Sequence, residues 1–319
     1  MSASTPAMSV ILVTPDRYET IRRTIDSLRR QGARGRLEIV IVAPDAEAMD
    51  INESELRDFA AVRRVSTGQV MSVGKANAAG VRAASAPVVA LGEDHSFPEP
   101  GWAEALLEAH RNPWAAVGPA IRNANPKTLV SWADLFVAYA PWLDPAPGGE
   151  RDHLPGHNSS YKREVLLSYG PELEKMMASE SVLHWDLRRK GYKLYLEPAA
   201  KTAHTNFSRL SSWLRSKFHS GRVFASSRAR QWPFWKRLAF AGGSPLIPLV
   251  RLRQILGHAI RSRQSPGLIA KATPVMTLGL LVSALGEMTG YLLGPGDSVE
   301  RLAAYEYHRF RHLSRVDTV

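Results

Sequence analysis

The chain has 319 residues, 45% of them hydrophobic and 22% charged, a globular composition that excludes disordered, collagen-like and coiled-coil classes. It contains no cysteine, which removes disulfide frameworks, thiolate metal sites, iron–sulfur clusters and cysteine nucleophiles from consideration. Its net charge of +11 belongs to the tail: residues 1–200 carry 23 Lys+Arg against 25 Asp+Glu, whereas 201–319 carry 18 against 5.

In chain order, short β-rich runs at 10–14, 37–43, 61–65, 87–91, 115–121 and 192–196 alternate with helical patterns: Ile21, Ile25 and Leu28, then 73–84, then Trp102, Leu106 and Leu107. That alternation predicts an α/β domain on a mainly parallel sheet with helices on both faces. The first apolar run stops at Pro15 and Asp16 and reads as a strand, not a signal peptide. From 123 to 155 the pattern breaks into a stretch rich in proline, glycine and aromatics, including Trp132, Phe136, Tyr139 and Trp142. An irregular insert of that length is expected to be functional, with plain core cover as the competing reading. After Leu210 the α/β alternation ends. Residues 211–230 and 246–260 read as basic amphipathic helices, and 273–294 as a far more apolar one. Its uncharged core, 272–286, is 15 residues long, short of the ~18–20 needed to cross a bilayer. Glu287 interrupts the longer window, so interfacial or re-entrant insertion is expected over a clean span, with a soluble helical hairpin as the alternative.

Open α/β sheets bind ligands at the carboxyl ends of their strands. The fourth predicted strand exits into Glu93, Asp94 and His95. Two acids and an imidazole leaving a buried strand are costly unless they meet positive charge. A hard divalent cation shared with phosphates fits that donor set; an acidic turn before the helix near Gly101 is the alternative. Glu180 opens a helix that ends at Gly191, where a carboxylate is favoured electrostatically. His204 follows a strand-like piece at 199–203, within reach of a metal or a phosphate, or else structural.

These pieces, in this order, resemble the family-2 glycosyltransferases of the GT-A, Rossmann-like fold over residues 8–230. The run 10–15 with Tyr18 is similar to the family's first strand and nucleotide-binding turn, and 37–45 to its second strand and acidic exit. Residues 74–84 resemble the helix before the metal motif. Glu93-Asp94-His95 stands where the family has its aspartate-rich metal motif, with Pro98 and 100–102 following. Residues 156–163 resemble the strand entering the acceptor site. Departures are His95 for an aspartate, Ser179-Glu180 for a Glu-Asp pair, and a late Asp45.

The resemblance implies transfer of a sugar from a nucleotide-diphosphate sugar to an acceptor hydroxyl with inversion. It implies Glu180 as general base, with Mg2+ or Mn2+ at Asp94 assisted by Glu93, His95 and His204. Pro15, Asp16, Asp45, Lys75 and Asn77 are the donor-contact candidates, with a helix cap as the competing reading of Asp16 and a solvated lysine that of Lys75. Trp142, Asn158 and Trp185 are acceptor-side candidates, since aromatic faces pack against sugar rings. Arg215, Lys217 and Arg222 are diphosphate candidates. The expected domains are 1–210, divided near 122 into nucleotide and acceptor halves, and a helical 211–319.

The basic apolar tail predicts an anionic membrane surface as partner, a lipid-linked or cell-surface glycan as acceptor, and a location on the cytoplasmic face of the cell membrane. A homo-oligomer built on the tail helices is the competing partner. No nucleic-acid partner is expected, because the basic residues alternate with apolar runs and no recognition motif is present. Thr14-Pro15-Asp16-Arg17 lacks the glycine-rich phosphate loop of a nucleotidyltransferase. A catalytically silent nucleotide-sugar-binding membrane protein is the remaining alternative.

Overall fold

The computed structural model describes residues 5–15, 17–68 and 72–317, without the side chain of His157. The strands are β1 (Met8–Val13), β2 (Leu37–Ala43), β3 (Ala61–Ser66), β4 (Val88–Gly92), β5 (Ser96–Pro98), β6 (Ala116–Asn123), β7 (Gly149–Arg151), β8 (Ser160–Lys162) and β9 (Leu194–His204). They form one sheet in the order β3-β2-β1-β4-β8-β6-β9-β5, with β7 also on β9. The sheet is mixed. Parallel pairing, as the alternation predicts, joins β3, β2, β1 and β4. β8 then enters antiparallel to both β4 and β6, and β5 and β7 are antiparallel to β9.

The helices are α1 (Tyr18–Arg29), α2 (Val73–Ala83), α3 (Trp102–Ala109), α4 (Leu129–Tyr139), α5 (Arg163–Leu167), α6 (Leu173–Met176), α7 (Glu180–Arg189), α8 (Leu210–Arg228), α9 (Phe234–Gly243), α10 (Ile247–Arg261), α11 (Pro266–Leu293) and α12 (Ser298–Tyr307). Every residue of β1 and β2 is buried, and both read as apolar runs interrupted only by Ser9 and Glu38, whose side chains bond each other. β3 is the edge, and it shows the arginines Arg63 and Arg64, charges that discourage further strand pairing. Ile21, Ile25 and Leu28 of α1 pack into the core with Leu12, Ile39 and Ala90.

The chain divides into two compact units: the described residues up to Arg122 with Ala146–His204, and Asn123–Pro145 with the residues from Thr205 onward. The first contains the whole sheet apart from the last residue of β6. The second is helical, and the segment expected to be an irregular insert supplies one of its helices, α4. Thr128 caps that helix by accepting from the Ser131 backbone N–H at 3.1 Å. The aromatics Trp132 and Phe136 are four apart, a helical spacing, and their rings sit 5.7 Å apart. α4 also carries Asp134, which is buried and accepts from the Phe207 backbone N–H at 3.0 Å and from Trp213 Nε1 at 2.7 Å. Burial alone would raise its pKa, but Lys217 at 2.9 Å and Arg309 at 3.7 Å outweigh that and hold it below the ordinary aspartate value. α9 and α12 were not anticipated from the pattern, and α11 starts seven residues before the predicted third helix.

Candidate active site

β4 is an inner strand, and the turn after it releases Glu93, Asp94 and His95. Thr24 on α1 holds that turn by donating to the carbonyl oxygens of Glu93 at 2.8 Å and Ser96 at 3.3 Å. β5 then pairs with the far end of β9 in the register Ser96↔His204. This pairing delivers His204 to the turn. Glu93 Oε2 lies 3.7 Å from His95 Nε2 and 3.5 Å from His204 Nε2, and one ligand atom from each residue lies within 4.8 Å of the others. Bonds of about 2.1 Å to a small divalent ion would set neighbouring ligand atoms about 3.0–3.4 Å apart; the two Glu93 separations exceed that by a few tenths of an ångström, so Glu93 and either histidine could close on such an ion with a small shift.

Asp94 occupies a different place. Its Oδ1 is 2.6 Å from His95 Nδ1, and a proton held there leaves Nε2 as the lone-pair donor facing Glu93. Its Oδ2 is buried with no hydrogen-bond partner among the described residues. A buried, half-satisfied carboxylate is costly unless positive charge lies close by, which agrees with a cation at this turn.

A 3-10 turn, Gly156–Asn158, links this cluster to Glu180. Asn158 is buried, accepts from the Ser96 hydroxyl, and donates its Nδ2 to Glu93 Oε2 at 3.3 Å. Glu180, first residue of α7, packs on the same turn. A Cβ on Gly156 would lie 2.0 Å from Glu180 Cγ, so only glycine admits the carboxylate side chain there. The two contact points are two residues apart, about 4 Å along a 3-10 axis. Behind Glu180, Tyr161 donates to or accepts from His184 Nε2 at 2.9 Å. Burial, and then the Glu180 charge, push the Tyr161 hydroxyl well above its ordinary range. Burial, and then His153, lower His184 to about 4, although Glu180 pulls the other way. His184 is therefore a neutral partner at neutral pH.

The remaining predicted positions scatter. Pro15 follows β1, while Asp16 lies outside the described residues. Asp45 is exposed and accepts from the Ala48 N–H at 3.1 Å, closing a turn. On α2, Lys75 is exposed and Asn77 buried. Trp185 is half-exposed and donates to His153 Nε2 at 2.8 Å. Trp142 belongs to the helical unit, where its ring meets Tyr139 at 6.4 Å. So do the three basic candidates on α8: Arg215 is exposed, Lys217 pairs with Asp134, and Arg222 donates to the Gly294 carbonyl at 2.8 Å. Thr24 and Ser96 escape sequence reading, because a hydroxyl on a helix or a short strand carries no local signal of what it will bind.

The family model for glycosyl transferase family 2 matches residues 9–170, from β1 through the turn and β8. The chain belongs to that family. No curated protein matches it. Among solved structures it is similar to GalNAc-T7 with UDP, GalNAc and Mn2+, at 14% identity and TM-score 0.50, over 62% of this chain and 43% of that one. It is also similar to the mannosyltransferase PcManGT from Pyrobaculum calidifontis in complex with GDP-Man and Mn2+, at 18% identity and TM-score 0.45, over 97% and 83%. A third likeness is to S. aureus TarS, at 13% identity and TM-score 0.44, over 89% and 55%. The chain spans under half the length of GalNAc-T7, and at 14% identity that likeness speaks to the fold alone.

Proposed function

We infer that this family-2 chain moves a sugar from a nucleoside-diphosphate sugar to an acceptor hydroxyl with inversion at the anomeric carbon. The observation that carries the reading is the shared turn: Asn158 bonds the Glu93 side of a divalent-metal donor set, while Gly156 seats Glu180. Glu93, His95 and His204 would hold the ion, with Asp94 orienting His95. A divalent cation bound there supplies positive charge to the oxygens of the leaving diphosphate. Glu180 takes the acceptor proton as the acceptor oxygen bonds to the anomeric carbon and the bond to the diphosphate breaks. The Tyr161–His184 pair backs that carboxylate without competing for the proton, since His184 is neutral above about pH 4. Pro15 after β1, Asp45 after β2 and Asn77 on α2 are the donor-side positions. The basic, apolar helical unit supports a lipid-linked or cell-surface glycan as acceptor, met on the cytoplasmic face of a membrane.

General-base assistance is worth ~10²–10⁴ in rate. Glu180→Gln should therefore lower turnover at least about 100-fold while donor binding, read by thermal shift with Mn2+, survives. Residual turnover above roughly a tenth of the original would remove Glu180 from this role.

A further inference from the structure

The helical unit turns much of its apolar surface outward. On α9, Phe234, Trp235 and Leu238 are exposed, Trp235 at 70%. On and just before α10, Leu246, Leu249, Val250 and Ile260 are exposed, Leu249 again at 70%, and their spacing of three, one and ten residues keeps them on one helical face. A water-soluble helix points its apolar stripe at the core alone; α10 has Ile255 and Ala259 on the core side and this second apolar stripe facing outward. α11 adds Leu278, Leu281 and Leu285 along its own outer side.

Along these three helices the exposed charge has one sign. Residues 231–293 contain seven Lys and Arg and a single acid, Glu287. Glu287 is buried, 3.7 Å from Arg251, so the stretch shows no exposed acid, whereas Arg253, Arg261, Arg263 and Lys271 are exposed. The surface is also firmly built. Arg237 on α9 donates to the Tyr291 carbonyl of α11 at 2.7 Å, holding two of the helices together.

α11 is 28 residues long and apolar enough to cross a bilayer by length and composition. Its inner side is committed elsewhere. A Cβ on Gly286 would lie 2.1 Å from the Phe218 carbonyl oxygen, and one on Gly290 2.4 Å from that of Arg222. Glycines thus press α11 onto α8, as small residues do wherever helices approach this closely. α8 carries Arg215, Lys217, His219, Arg222 and Arg228, so a crossing α11 would drag that charge into hydrocarbon.

We propose that the outward face of α9, α10 and α11 docks onto an anionic lipid bilayer, lying in the interface rather than crossing it. Apolar side chains enter the acyl boundary and the flanking Arg and Lys meet lipid phosphates or carboxylates. This deepens the acceptor reading above and rests on it for its purpose, but its test is separate. Vesicle binding is measured without donor, and donor binding without vesicles, so either reading can fail alone.

The test is co-sedimentation of the full chain with phosphatidylcholine vesicles containing 30% phosphatidylglycerol, against phosphatidylcholine alone. The expected result is binding to the anionic vesicles at low salt that falls at least tenfold in high salt. It should also fall at least tenfold in L249S/V250S and, independently, in R253E/R261E. These positions are exposed, so far-ultraviolet circular dichroism and thermal midpoints should match the parent chain. Equal binding to both vesicle types, or none at low salt, overturns the proposal. So does a membrane-bound form that resists alkaline carbonate and yields only to detergent, which is the behaviour of a crossing helix. A dimer that L249S/V250S converts to monomer, with no vesicle binding by the parent chain, assigns the face to a second copy instead.

Discussion

Replacing Asp94 with Asn separates an orienting carboxylate from a coordinating one. With Oδ1 2.6 Å from His95 Nδ1, the path through the imidazole puts the Asp94 charge about 7 Å from an ion on Nε2, against about 2.1 Å for a bound Glu93 oxygen. Coulomb attraction falls as 1/r at equal dielectric, so Asp94 contributes about a third of what Glu93 does. Asn retains an acceptor oxygen for Nδ1, and loss of such an outer partner typically lowers metal affinity 10–100-fold, about 1.4–2.7 kcal/mol. The assay is Mn2+ titration followed by the free-ion electron paramagnetic resonance signal, on the parent chain, Asp94→Asn, Glu93→Gln and His204→Ala. Glu93→Gln and His204→Ala should both weaken binding more than Asp94→Asn. If Asp94→Asn proves the most damaging of the three, Asp94 is itself a ligand and the geometry above has been misread.

Two further outcomes follow from the same site and its surroundings. Gly156→Ala should displace Glu180, because the new Cβ would stand 2.0 Å from its Cγ; turnover should drop with Mn2+ affinity within about threefold of the parent, and unchanged turnover would refute the seating of Glu180 on this turn. Acid should destabilise the chain early. Burial, then Lys162, lowers His110 to about 4, as burial, then His153, does for His184, so between about pH 6.5 and 4 the unfolded chain binds more protons than the folded one. Stability contributed by the neutral rings is whole above pH 6.5 and lost as pH falls, about 3 kcal/mol for each histidine. Urea denaturation at pH 7, 6 and 5 should show the midpoint falling, and a flat profile would contradict the burial of these rings.

How far the sequence speaks can be judged residue by residue. β1, β2 and β4 were legible because strands buried on both faces leave apolar runs, interrupted here only by Ser9 and Glu38. α1 was legible from the spacing of Ile21, Ile25 and Leu28. Glu93, Asp94, His95, Glu180 and His204 could be picked out as residues whose chemistry needs a partner, and the resemblance gave them roles, but not which of their atoms face one another. That Asp94 turns to Nδ1 of His95 while Glu93 faces both histidines depends on side-chain directions set by packing. Asn158, read as an acceptor contact, sits under Glu93 because β8 and the turn before it enter the sheet beside β4, a pairing between distant segments.

The sequence by itself determined the α/β pattern, the residue types of the site and the concentration of positive charge in the tail, since these are properties of local order and composition. Only the tertiary structure decided that β5 lies against β9, that His204 therefore joins Glu93 and His95, and that Gly156 and Asn158 tie this cluster to Glu180. It also decided that the aromatic insert contributes α4 to the helical unit and that the glycine side of α11 is spent on α8. The physical reason is common to all five: strand register and helix packing are fixed by contacts between segments far apart in the chain, and no local pattern encodes which distant partner a side chain will meet.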